Sequence, residues 1–165
     1  RPRILIGGLG LGFTLRRVLE TTGDGARIDV VELIPAVIDW NRTHLRQLNG
    51  ECLDDPRVSV IEGDVAKVIE KAAPETWDAI LLDVDNGPVA MVHRGNARLY
   101  SSSGITRIMR VLRPGGRLAV WSAGISEGFE KRLTGWGLSV KTVRAKLHPG
   151  AKSHGCLIYV ADKAD

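Results

Sequence analysis

A chain of 165 residues that is 44% hydrophobic and 25% charged suits one soluble domain with a sizeable core. No apolar run approaches the roughly 20 residues that span a bilayer, so no membrane partner is expected. The net charge is +4, and Lys141, Arg144, Lys146, His148, Lys152 and His154 group near the C-terminus. With no aromatic residues interleaved as base-stacking platforms, that group predicts a solvated face and no nucleic-acid partner.

Arg1-Pro2-Arg3 is neither a signal peptide nor a Met start, and the chain enters its first strand almost at once. This predicts a protein with a segment upstream of the present chain. Cys52 and Cys156 lie far apart, form no C-x-x-C and accompany four scattered histidines, which argues against a zinc site or a disulfide framework. A reducing, cytoplasmic setting is the default.

Ile4–Ile6 reads as a short strand, followed by a glycine-rich turn and a helix over Leu11–Thr22 with Leu11, Leu15, Val18 and Leu19 on one face. Arg27–Glu32 is the second strand. Ile34–Leu48 is predicted as one helix, with Ile34, Val37, Ile38, Leu45 and Leu48 near the i, i+3/i+4 rows and Pro35 in the first turn. Val58–Ile61 is the third strand and Asp64–Lys71 the helix after it. Trp77–Asp83 (WDAILLD) has the continuous apolar character of a strand buried on both faces.

Ser102–Leu112 is helical, Arg-Pro-Gly-Gly at 113–116 is a turn, Arg117–Trp121 a strand and Gly124–Leu133 a helix. Leu138–Lys146 and Cys156–Ala161 are the last strands. The intervening LHPGAKSHG is too short for a parallel crossover, which predicts an antiparallel pair at the sheet edge. Serial βα units predict an α/β, Rossmann-like, doubly wound domain over residues 1–165. Its seven-stranded sheet is mostly parallel, with an antiparallel C-terminal strand.

In such a sheet ligands lie beyond the carboxyl ends of the strands. Gly8, Gly10 and Gly12 give G-x-G-x-G, a turn able to pass close to a ligand or simply to turn tightly. The dinucleotide fingerprint G-x-G-x-x-G needs glycine where Phe13 stands, which weighs against a nicotinamide cofactor and a dehydrogenase. A phosphate P-loop fails for want of Gly-Lys-Ser/Thr. Glu32, at the end of strand two, can accept hydrogen bonds from both ribose hydroxyls, or serve as an acid favoured by the next helix's dipole. Leu33 can pack on an adenine face. In Gly63-Asp64 the aspartate can cap its helix, accept from an adenine amino group, or do both.

Taken in order, ILIGGLGLGFTLRRV, VVELIPAVIDWNR, VSVIEGD, WDAILLDVDNGP and RLYSSSGITRIMRVLRPGGRLAVWS resemble the class I S-adenosylmethionine-dependent methyltransferase superfamily. Within it, the chain resembles the spermidine synthase-like (polyamine aminopropyltransferase) branch over nearly its whole length. The resemblance implies S-adenosylmethionine, or its decarboxylated form, as cofactor. Gly8, Gly10 and Gly12 would line its methionine part, Glu32 the ribose and Asp64 the adenine edge. Asp83 would orient an attacking amine or take its proton, and Asp85 or Asn86 would hold the amine substrate. The family's N-terminal β domain has no counterpart in residues 1–165. Its glycine turn reads G-G-G-D-G-G, and the aspartate that holds the transferred aminopropyl amine aligns with Leu11.

Either transfer is a displacement at a carbon beside a sulfonium, for which the protein supplies positioning and proton handling. Asp83 and Asp85 are the catalytic candidates, and Asp83 can alternatively be satisfied by loop amides. Asp83, Asp85 and Asn86 are too few oxygen donors for an assigned metal site. The long segment NGPVAMVHRGNARLYSS offers His93, Arg94, Arg98 and Tyr100 as polar candidates for the substrate pocket, or as ordinary surface groups. Leu11 tilts the expectation to methyl transfer onto a small molecule, with aminopropyl transfer as the alternative. A cofactor-binding module without turnover is a further alternative, and homodimerisation is left open.

Overall fold

The strand β1 (Arg3–Gly7) runs through the middle of a sheet, because its side chains suit no other place. Ile4, Leu5 and Ile6 are all buried, as a parallel strand covered on both faces requires. The computed structural model describes residues 1–84, 87–89, 96–145 and 155–165. In chain order β1 is followed by α1 (Phe13–Thr21), β2 (Arg27–Glu32), α2 (Pro35–Arg42) and α3 (Arg46–Asn49). A 3₁₀ turn at Cys52–Asp54 leads to β3 (Val58–Glu62), α4 (Val65–Lys71) and β4 (Trp77–Leu82). Then come α5 (Ala97–Tyr100), α6 (Ser102–Val111), β5 (Leu112–Ser122), α7 (Glu127–Gly135), β6 (Ser139–Ala145) and β7 (Cys156–Asp162).

The seven strands are ordered β3-β2-β1-β4-β5-β7-β6. All pairs from β3 to β5 are parallel, while β7 lies antiparallel between β5 and β6. This is the doubly wound, Rossmann-like α/β sheet that the alternating elements predict, including the antiparallel C-terminal pair. Alternation along β1 divides the core. Ile4 and Ile6 pack with Leu15 of α1 and Ile38 of α2 on one face. Leu5 joins Val65 and Ile69 of α4, Ile105 and Ile108 of α6, and Phe129 of α7 on the other.

Three elements differ from expectation. The helix predicted over Ile34–Leu48 breaks after Arg42, where the Trp40 carbonyl accepts from both Thr43 N and Leu45 N. Thr43 leaves helical geometry at φ −121, ψ −85, and its hydroxyl donates to the Asp39 carbonyl. Leu48, assigned to an apolar helix face by its spacing, is 44% exposed. Arg113–Gly116, predicted as a turn before a strand, is a bulge inside β5. Trp77 faces Leu112 and Ala79 already faces Arg117, so the intervening residues of β5 loop out, with Gly115 at φ +67. The last helix is also shorter than predicted at its start, because the Ser126 hydroxyl caps it by accepting from Phe129 N.

Arg57, just before β3, ties that strand's start to the end of α1. Arg57 donates to both carboxylate oxygens of Asp55 at 2.9 and 2.8 Å, and to the Leu19 and Thr22 carbonyls at 3.2 and 2.8 Å. The Arg57 hydrogen bonds hold the Asp55 carboxyl below the usual carboxylate range. A folded-state value below the unfolded one means that the pair stabilises fully at neutral pH and less as acid protonates Asp55. Asp55→Asn is therefore expected to lower Tm at pH 7, with the difference from wild type shrinking below about pH 4. Parallel thermal melts across pH check this.

Candidate cofactor site

The carboxyl ends of β1, β2, β3 and β4 surround a cavity of about 390 Å³. Each contributes the residues that follow it. Gly8 and Gly10 come from the turn after β1, Glu32 and Leu33 from the end of β2, Gly63 and Asp64 from the end of β3, and Asp83 from the end of β4. Seven of the sequence-predicted residues thus share one wall, which is the place a parallel sheet offers a ligand.

The turn after β1 is built on backbone packing. Gly8 sits at φ +95, and a Cβ there would fall 2.2 Å from the Asp83 carbonyl oxygen. Asp83 N in turn donates to the Gly7 carbonyl at 2.8 Å. The glycine turn and the end of β4 are therefore locked together through main chain, with no room for a side chain between them. Gly8→Ala combines a left-handed conformation with this clash and is expected to destabilise the fold by about 3 kcal/mol. Urea denaturation against wild type measures the loss.

Glu32 is buried, and both its carboxylate oxygens accept backbone hydrogen bonds, Oε2 from Leu9 N and Oε1 from Ile34 N, each at 2.9 Å. The residue thereby joins the glycine turn to the start of α2. A carboxylate has about four acceptor positions, so two remain for donors in the cavity. Asp64 caps α4 through Oδ1, which accepts from Ala66 N at 2.8 Å, and its Oδ2 pairs with the Arg98 guanidinium. Capping and a place on the cavity wall coexist in this residue. Arg98, a polar candidate for the substrate pocket, is engaged with Asp64 instead.

Asp83 Oδ2 accepts from the Thr14 hydroxyl at 2.9 Å. The apolar part of the wall comprises Leu33, Ile34 and Val37. Gly10 and Gly63 have nothing within 4 Å of a built Cβ, so their backbones border open space. Gly12 is not on the wall; it faces Asn41, Asn49 and Cys52. Tyr100 is also off the wall, buried edge-on to Phe129 with its hydroxyl donating to the Val84 carbonyl at 3.3 Å. Asp85, Asn86, His93 and Arg94 lie outside the described residues.

Sequence reasoning missed Thr14, Val37 and Asn96 as neighbours of the site. Val37 was legible only as a core-facing helical residue, and nothing in the sequence marks Asn96. Cys52 and Cys156 are both buried and free, and burial pushes the Cys52 thiol up, as for a packing residue. Among the described residues no three His, Cys, Asp or Glu side chains gather as a metal site, and no helix is long and apolar enough to cross a membrane.

The model of the spermine/spermidine synthase domain matches residues 2–125. The chain belongs to the spermine/spermidine synthase family. It is 36% identical over 119 residues to a polyamine aminopropyltransferase of Mycobacterium tuberculosis, covering 71% of this chain and 22% of that protein. It is 34% identical over 115 residues to putrescine N-methyltransferase 2 of Nicotiana attenuata, covering 69% of this chain and 29% of the relative. The chain thus spans well under half the length of these two curated relatives. Among solved structures, the spermidine synthase of Thermotoga maritima superposes with a TM-score of 0.73 at 22% identity, over 99% of this chain and 54% of that one. The family match ends within the segment between β5 and α7, whereas the fold likeness runs on through β6 and β7.

Proposed function

We propose that this family member binds S-adenosylmethionine in the cavity beyond β1–β4 and transfers a methyl group to a small amine. The observation that carries the reading is Glu32, a buried carboxylate tied to the glycine turn and to α2, with acceptor capacity left for a vicinal diol. The residues present fit such a nucleoside. Leu33, Ile34 and Val37 supply an apolar wall for the base, Asp64 an acceptor at its edge, and Gly10 and Gly63 leave space that a Cβ would fill.

When bound, the cofactor supplies a carbon activated by the adjoining sulfonium. Asp83 orients the incoming amine by accepting its N–H and takes the proton released. Thr14 holds one oxygen of that carboxylate, and the Gly7–Asp83 hydrogen bond fixes its backbone, so Asp83 is presented to the cavity in one orientation.

Leu11 favours methyl transfer: a half-exposed leucine stands where the resemblance requires an acid for an aminopropyl ammonium, and leucine offers that cation no partner. Aminopropyl transfer from the decarboxylated cofactor is the second reading, favoured by the identity to the mycobacterial aminopropyltransferase. Incubating the chain with putrescine and each cofactor in turn, with mass spectrometry of the products, separates them. A methylated amine is the expected product. An aminopropylated one reverses the preference, and nucleoside binding without either product identifies a binding module.

A further inference from the structure

Two buried asparagines stand behind the glycine turn, outside the cavity and unused by the chemistry above. Asn41 of α2 and Asn49 of α3 are 1% and 0% exposed. Asn41 Nδ2 donates to the Gly10 carbonyl and to the Val37 carbonyl, both at 2.8 Å. Its Oδ1 accepts from Asn49 Nδ2 at 2.9 Å, and the same Nδ2 reaches the Asn41 carbonyl at 3.1 Å. Asn49 Oδ1 is satisfied by Glu51 N at 3.0 Å. Every arm of both amides is therefore committed.

The third glycine of the motif belongs to this arrangement. Gly12 lies at φ +83, and a Cβ there would fall 2.8 Å from Asn41 Oδ1 and 2.9 Å from Asn49 Cβ. Its bareness makes room for the asparagine pair behind the turn. The break at Thr43, which turns α3 away from α2, is what lets Asn49 reach back to Asn41. A buried amide costs stability unless it is bonded, so an apolar core would fill this space more simply. What the amide does that an apolar side chain cannot is hold, from behind, the carbonyl of Gly10, a residue whose backbone lines the cavity.

We propose that Asn41, braced by Asn49, is a positioning residue that fixes the Gly10 peptide for the amino-acid portion of the bound cofactor. The assignment rests on the nucleoside-sulfonium reading above and adds to it a residue that holds the turn from outside the cavity. Because Gly10 and the ribose carboxylate Glu32 lie on different segments of the wall, loss of Asn41 affects the two ends of the ligand unequally.

The test is calorimetric titration of wild type, Asn41→Leu and Asn49→Ala with S-adenosylhomocysteine and with adenosine, which lacks the amino-acid portion. Asn41→Leu is expected to raise the Kd for S-adenosylhomocysteine about tenfold while leaving adenosine within about twofold. Asn49→Ala should shift the same ratio less. Equal weakening of both ligands, or unchanged S-adenosylhomocysteine binding by a folded variant, overturns the assignment. Should Asn41→Leu fail to fold, the ratio in Asn49→Ala decides alone, and an unchanged ratio there overturns it. A wild type that binds neither ligand overturns the nucleoside reading itself, and this assignment with it.

Discussion

Asp83→Asn is expected to lower turnover by about 10²–10⁴-fold, the usual contribution of a positioned acid or base. The exchange is nearly isosteric. Asparagine keeps one oxygen to accept from Thr14 and keeps the backbone hydrogen bond to the Gly7 carbonyl, so the end of β4 and the Gly8 contact stay in place. What it loses is the ability to take a proton from an amine. Steady-state rates should therefore show kcat falling with the KM for cofactor within about threefold, because Asp83 acts on the incoming amine and not on cofactor binding. If Asp83 served only to satisfy Thr14 and the loop, kcat would stay near the wild-type value.

The second large effect is on binding. Glu32→Gln is expected to weaken S-adenosylhomocysteine by about 100-fold, since hydrogen bonds to a charged acceptor contribute about 1.5–3 kcal/mol each. A glutamine offers one oxygen where the carboxylate offers two. Its NH₂ must then face either Leu9 N or Ile34 N, both now bonded at 2.9 Å. The variant so loses acceptors for the diol and one tether of the glycine turn. Calorimetry gives the affinity and a thermal melt verifies folding. A loss of only about twofold in a folded variant would reduce Glu32 to a brace between the turn and α2.

The parts of this site that were legible in the sequence share one physical reason. Gly8, Glu32, Asp64 and Asp83 each follow an apolar run, and in a parallel sheet every such position arrives at the same edge. The parallel pairing from β3 to β5 and the antiparallel β6–β7 pair follow from the same runs and from the short final connection, whereas the strand order does not. The rest depended on contacts that spacing does not encode. The apolar rhythm of Ile34–Leu48 continues across Thr43 and concealed the break that brings Asn49 to Asn41. Gly12 looked like a ligand-facing glycine, yet the groups behind it, Asn41 and Asn49, are those that forbid it a side chain. Arg98 finds Asp64 from across the sheet edge, and the bulge at 113–116 is set by the pairing of β5 with β4.

The central claim is that the cavity beyond β1–β4 holds an adenosyl sulfonium and not a dinucleotide. Calorimetric titration of the wild-type chain with S-adenosylhomocysteine and, separately, with NAD tests it most directly. Saturable one-site binding of S-adenosylhomocysteine, with no saturable heat from NAD, is the predicted result. Saturable binding of NAD with none of S-adenosylhomocysteine would contradict the account.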